Sequence, residues 1–305
     1  MQAEPIGPNF LCVGMPKCGT STLHAVLENY SDVYVCPVKE LKFFAADKIG
    51  YRGSARELLF ADHWAAKQER LAVGRIIRGA LKGQGRIKDL TWAARFVFGS
   101  RDINRYQSLF PQDRISGDIS PAYHMLDQDE IAAIAERFPH LRIVIMLRNP
   151  YHQMWSHCRM SARGKSPEDE LKFFQEQVDY QLGLCPSYLG LITRWSACFG
   201  ADNVLVEYLE DMSTDTATVA RRVLSFVDPA GKAATQLETM NSDYRVFAGG
   251  NLKMPAGVHD ILMDASRARL TGYEAVDAGW ADRWNQELHD IDTAQRQQGD
   301  TPEAT

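Results

Sequence analysis

A chain of 305 residues with 45% hydrophobic and 24% charged residues is long enough to bury a sizeable core without a metal or disulfide staple. The net charge of −5 argues against general nucleic-acid binding. Six scattered cysteines, with no C-x-x-C pair, exclude a metal-ligand cluster of that type and a disulfide framework.

The N-terminus lacks a basic region followed by an apolar stretch, and no run of 18 apolar residues occurs. These features predict a soluble, cytoplasmic protein with no membrane span. No internal repeat or interdomain linker is visible, so a single domain over 1–305 is expected.

In chain order, Asn9 to Val13 is an apolar run ending at Gly14 and reads as a buried strand. Thr20 to Leu27 follows with Leu23, Val26 and Leu27 at helical spacing and Ser/Thr at its start. Asp32 to Cys36 is a second strand, stopped by Pro37. The stretch 54–110 breaks the alternation and predicts a helical insertion or lid. Between Lys67 and Arg105 it holds ten Lys/Arg against only Glu69, Asp89 and Asp102. Solvated helix faces would explain that bias, and so would a lid attracting an anionic acceptor.

An amphipathic helix from Gln128 to Phe138 precedes the strand Arg142 to Leu147, whose unbroken apolar run suits a parallel strand buried on both faces. Helices are predicted at Pro150–Met160, Glu168–Leu184, Tyr188–Phe199, Thr214–Val227, Val258–Leu270 and Trp280–Ala294, with a strand at Asn203–Tyr208. The polar stretch 295–305 reads as a flexible tail. Strands alternating with helices predict a three-layer α/β/α fold around a mostly parallel sheet.

The first strand ends in Gly14-Met-Pro-Lys-Cys-Gly-Thr-Ser-Thr22. A glycine-bearing loop opening a helix presents N–H groups and a favourable dipole to an anion. Lys17 adds a full charge, and Thr20, Ser21 and Thr22 add hydroxyls. The phosphate loop of nucleotide kinases needs Lys directly after its second glycine. Here Thr20 follows Gly19, and the lysine lies mid-loop at 17.

That P-K-x-G-T-[ST]-x-L pattern resembles the 5′-phosphosulfate loop of sulfotransferases that use 3′-phosphoadenosine 5′-phosphosulfate (PAPS). Leu147-Arg-Asn-Pro, with Ser156 eight residues after Arg148, resembles the 3′-phosphate element of the same superfamily. An arginine at a strand end offers a bidentate fork to such a group. Lys39-Glu-Leu-Lys-Phe-Phe44 resembles the K-E-x-x-[FY]-[FY] segment of carbohydrate sulfotransferases, including heparan sulfate N-sulfotransferases, and of their bacterial relatives. Gly117-Asp-Ile-Ser-Pro-Ala-Tyr123 matches a further segment of these proteins, one that shapes the acceptor pocket.

The resemblance implies a P-loop fold and sulfuryl transfer from PAPS to a carbohydrate or small metabolite, releasing 3′-phosphoadenosine 5′-phosphate with no metal. It implies that Lys17, Cys18, Gly19, Thr20, Ser21 and Thr22 hold the phosphosulfate. Arg148 and Ser156 would hold the 3′-phosphate, with Asn251 and Lys253 in a loosely matching closing loop. Glu40 is the implied base. His124 is its rival, because cytosolic members use histidine. The competing readings are an ATP-dependent phosphotransferase and a non-catalytic nucleotide-binding protein of the same fold.

Overall fold

The computed structural model describes residues 7–51, 53–82, 87–99, 102–240 and 252–299. The chain packs as two compact units. One comprises Met1–Leu147 with Trp195–Phe247, and the other Arg148–Arg194 with Ala248–Thr305.

The first unit holds strands β1 (Phe10–Gly14), β2 (Tyr34–Val35), β3 (Ser116–Ile119), β4 (Arg142–Leu147) and β5 (Val204–Tyr208). They form one sheet in the order β2-β3-β1-β4-β5. Every pairing is parallel, which yields the expected three-layer α/β fold. Helix α1 (Thr20–Tyr30) follows β1 and buries Leu23, Val26 and Leu27. Between β2 and β3 lie α2 (Ala55–Phe60), α3 (Trp64–Leu81), α4 (Ile87–Phe98) and α5 (Ile103–Ser108), which occupy the basic segment. A capping box formed by Asp127 and Glu130 starts α6 (Gln128–Arg137).

Sheet order explains where a ligand would bind. From β1 the chain goes to β2 at one edge, returns to β3 beside β1, and then crosses to β4 and β5 on the other side. The C-terminal end of β1 is therefore the topological switch point, the place where open α/β sheets bind ligands. Strand β3 is short and carries no apolar run, yet all four of its residues are buried. Phe10 of β1 lies opposite Gly117 in the register. A Cβ on Gly117 would fall 2.0 Å from the Phe10 ring, so only glycine lets that ring cross β3.

The second unit is helical. It contains α7 (Pro150–Ser161), α8 (Glu170–Leu184) and the start of α9 (Tyr188–Phe199). After α10 (Leu209–Thr214) and α11 (Thr216–Val227), which belong to the first unit, come α12 (Val258–Leu270) and α13 (Ala278–Gly299) of the second. Asp215 ends α10 and caps α11, so the helix expected from Thr214 begins at Thr216, and the short α10 before it was not predicted. Helix α13 continues to Gly299, past the residue where the apolar pattern stops. Arg269 is fully buried, donating to Gln153 Oε1 at 2.6 Å and to Gln181 O at 2.8 Å. The second of these carbonyls belongs to the last turn of α8, where the helix dipole favours a cation.

Candidate active site

The loop after β1 delivers Lys17 and Gly19 to the start of α1. Gly19 is the N-cap residue, with φ of 89°, and no side chain caps this helix. The first N–H groups of a helix have no intrahelical partner. An uncapped start with a lysine two residues upstream therefore fits an anion. A Cβ on Gly19 would sit 2.8 Å from Leu209 Cδ1, so the position demands glycine for space as well as for φ.

Among the described residues, the non-glycine residues with positive φ are Lys17 (70°), Glu40 (64°) and Lys42 (54°). All three lie in the two segments that the motifs single out. Such conformations cost about 1–3 kcal/mol each and persist only where the surroundings enforce them.

A chain of contacts links the two segments. The Lys39 ammonium donates to Ser21 Oγ at 2.6 Å and to Glu40 Oε1 at 2.8 Å. Lys42 Nζ lies 3.6 Å from Glu40 Oε2 and donates to Glu40 O at 3.1 Å. Burial pushes the Glu40 carboxyl upward, but the ammonium groups of Lys39 and Lys42 outweigh it and hold the acid below its ordinary value. The Glu40 side chain keeps 23% exposure, so it is ionised and reachable. Lys42 is buried, with its Nζ 4.9 Å from the centre of the Trp64 ring. Burial lowers its pKa against the opposing pull of Glu40.

What enforces the backbone at Glu40 and Lys42 is Asp118, at the end of β3. It is buried and accepts from Ser120 Oγ at 2.6 Å, Tyr123 OH at 2.6 Å and Tyr106 OH at 3.0 Å. Burial raises its pKa, and the three hydroxyls oppose that rise. Ser120 Oγ in turn accepts from the Lys42 backbone N–H at 3.1 Å, and the Tyr123 hydroxyl accepts from the Phe43 N–H at 3.1 Å. The G-D-x-S-P-x-Y segment thus clamps the loop that carries Glu40. Sequence reasoning assigned that segment to the acceptor pocket and missed this role. The signal was the pair of hydroxyls at fixed spacing after an acid.

His124 is buried in the 3₁₀ turn Pro121–Met125. Its Nδ1–H donates to Pro121 O at 2.7 Å. Its Cβ lies 3.0 Å from where a Cβ on Gly14 would be, so it packs at the base of the loop. Thr20 and Cys18 are buried, while Ser21 and Thr22 are half-buried at the same helix start.

Arg148 and Ser156 belong to the second unit. Arg148 follows β4 directly in the chain, and its carbonyl accepts from Tyr188 OH at 2.8 Å. Asn149 caps α7 through its side chain, and Pro150 takes the first helical position. Ser156 is half-buried in the middle of α7. Lys253 is exposed, and Asn251 lies outside the described residues.

Comparison with known proteins agrees with this arrangement. A model of the Sulfotransferase family matches residues 8–230. Carbohydrate sulfotransferase 15 of Homo sapiens is 22% identical over 253 residues, covering 72% of this chain and 44% of the human protein. The protein of the same name from Rattus norvegicus is 22% identical over 254 residues, with the same coverage. The chain spans less than half the length of these curated relatives. The crystal structure of a sulfotransferase from Alicyclobacillus acidocaldarius has a similar fold, with a TM-score of 0.58 at 20% identity, over 91% of this chain and 98% of that one. With most of its length matched by the family model, and with the loop and strand order described above, the chain belongs to the sulfotransferase family.

Proposed function

We propose that this chain transfers a sulfuryl group from PAPS to a hydroxyl or amine of an acceptor, with Glu40 as general base and Lys17 at the leaving group. The observation that carries the reading is the Lys39 ammonium, which ties Ser21 of the donor loop to the carboxylate of Glu40. Donor site and base are thereby held in one network.

In this mechanism Glu40 takes the proton from the acceptor. The freed oxygen or nitrogen attacks sulfur as the bond from sulfur to the 5′-phosphate oxygen breaks. That oxygen leaves with the electron pair, beside Lys17 and the N–H groups of α1. An ammonium carries three donors. Lys39 directs two of them at Ser21 and Glu40 and can turn one toward a sulfuryl oxygen. Positioning and fixed charge supply most of the acceleration. Arg148 and Ser156 enter on their motif as ligands of the 3′-phosphate. A carbohydrate acceptor is supported by the name of the human relative, carbohydrate sulfotransferase 15. The scattered cysteines, which form no disulfide among the described residues, suit the cytoplasmic location we propose.

One observation favours ATP-dependent phosphotransfer. Asp118 ends the strand beside β1, where P-loop phosphotransferases place a metal-holding aspartate. Its carboxylate is already committed to three hydroxyls in a buried setting, and Thr20 stands where that chemistry needs lysine. Sulfuryl transfer is the better fit.

The test offers PAPS labelled in its sulfate to the purified protein with panels of carbohydrates and small alcohols, read by mass shift. Parallel titrations compare ATP with 3′-phosphoadenosine 5′-phosphate. Sulfated product that disappears in Lys17→Ala and Glu40→Gln supports the reading. Transfer unchanged in both Lys17→Ala and Arg148→Ala, or preferential binding of ATP, defeats it.

A further inference from the structure

The outward face of α3 is not used by this chemistry. Its inward face buries Ala65, Ala66, Ala72 and Val73. At 100° per residue, Trp64, Lys67, Leu71, Arg75, Arg78 and Lys82 (the last the C-cap residue) fall on a single opposite stripe, and all six are exposed. From Trp64 to Lys82 the stripe runs about 27 Å. Lys67, Leu71 and Arg78, together with Arg70, line one surface recess. Asp62 pairs with Lys67 at 2.6 Å, while Glu69 is buried and accepts from Tyr51 OH at 2.7 Å.

Several apolar side chains of the helical segment are also exposed. Leu71 is 65% exposed, Leu81 82%, Phe60 at the end of α2 80% and Phe98 at the end of α4 77%. Isolated exposed apolar side chains are ordinary, but Trp64 and Leu71 share one stripe with Lys67, Arg75, Arg78 and Lys82, a mixed face that a partner would use. A row of Lys and Arg alone would suit any polyanion. Leucine between the cations gains little from a hydrated glycan or a phosphodiester chain, because neither offers an apolar phase that removes its hydrocarbon from water. A negatively charged bilayer satisfies both halves of the pattern. Headgroup phosphates meet the cations, and the acyl boundary receives the apolar side chains, with the Lys and Arg stems running alongside.

We propose that the α3 stripe docks this protein on an anionic lipid bilayer, lying in the headgroup plane with Leu71 and Trp64 inward and Leu81 at its flank. Trp64 also lies over the Lys42 ammonium. The docked face therefore begins next to the Glu40 centre and leads away from it.

Sedimentation of the full chain with vesicles tests this. Vesicles of phosphatidylcholine mixed with phosphatidylglycerol should carry the protein down, those of phosphatidylcholine alone should not, and added salt should release it. Each cation removed should lower partitioning about fivefold, so Arg75→Ala with Arg78→Ala should lower it roughly twenty-five-fold. Leu71→Ser with Leu81→Ser should weaken binding with every charge in place. These positions are exposed, and circular dichroism of each variant against the parent serves as the check on folding. The proposal is overturned if anionic vesicles do not bind the parent, or if both variant pairs bind like it. It is also overturned if heparin binds the parent and the leucine pair equally while the vesicles leave both in solution, which would mark a soluble-polyanion surface.

Discussion

Lys39 Nζ stands 2.6 Å from Ser21 Oγ, joining the segment after β2 to the first turn of α1. The same ammonium neutralises Glu40 at 2.8 Å. One cation thus ties the two loops together and, with Lys42, lowers the pKa of the carboxylate.

With Glu40 as the proposed base, its acidity sets the expected pH profile. Its carboxyl is held below the ordinary value despite burial, so it is deprotonated throughout the neutral range. Then kcat/KM should be flat through neutrality and fall only on the acid side, below the usual carboxylate range. Lys39→Met removes one of the cations that lower the pKa, so the acid limb should move upward in pH. Glu40→Gln should reduce turnover roughly 10²–10⁴-fold while 3′-phosphoadenosine 5′-phosphate still binds. An acid limb unmoved by Lys39→Met would assign it to another group.

Tyr123 and Asp118 are expected to act through Glu40. Tyr123→Phe deletes the acceptor for the Phe43 N–H and one of the donors to Asp118. An unsatisfied buried group costs about 1–3 kcal/mol. Melting should drop accordingly, and kcat should fall more than KM for the donor, because the loop carrying Glu40 loosens while the α1 site stays. Ser120→Ala should do the same through the Lys42 N–H. Equal losses in kcat and in donor binding would show a general structural collapse instead.

Lys17 lies in the left-handed region at φ 70°. For an L-residue that region costs about 1–2 kcal/mol per residue, a cost glycine does not carry. Lys17→Gly should therefore be about 1 kcal/mol more stable than Lys17→Ala, with both inactive in sulfuryl transfer. Thermal melts of the two variants decide it, and an alanine variant at least as stable as the glycine one would remove the strain argument.

Much of the frame was legible because its signals are local. The apolar runs of β1 and β4, the glycine and lysine of the loop after β1 and the amphipathic spacing of α6 each sit within a few residues of one another. Strand β3 was not legible, since Ser-Gly-Asp-Ile lacks an apolar pattern. It is a strand because the Phe10 ring lies across Gly117 and because hydroxyls satisfy Asp118. One of those hydroxyls, on Tyr106, comes from α5 in the basic segment, a partnership that no spacing rule announces. Lys42 looks like a surface charge in the sequence. It is buried in the fold, with its ammonium 4.9 Å from the centre of the Trp64 ring, a contact between residues distant in sequence.

Asn149 supports a test of the second unit. Its Oδ1 accepts from Tyr151 N–H at 3.0 Å, and its Nδ2 donates to Glu287 Oε2 at 2.7 Å. His152 faces the other oxygen of Glu287 at 3.0 Å. The Glu287 carboxyl is held below its ordinary value, chiefly by the His152 hydrogen bond, with Asn149 adding to it. A depressed acid contributes stability that is present above its unfolded pKa and lost as pH falls through its folded pKa. Glu287→Gln should therefore flatten the acid arm of the stability curve without changing the neutral plateau's slope. Asn149→Ala removes the cap, at a cost of about 1 kcal/mol. Because Asn149 follows Arg148 directly, the same change should weaken binding of 3′-phosphoadenosine 5′-phosphate more than binding of a nucleotide lacking the 3′-phosphate. Calorimetric titration of both nucleotides decides this, and equal weakening would confine Asn149 to its role as a helix cap.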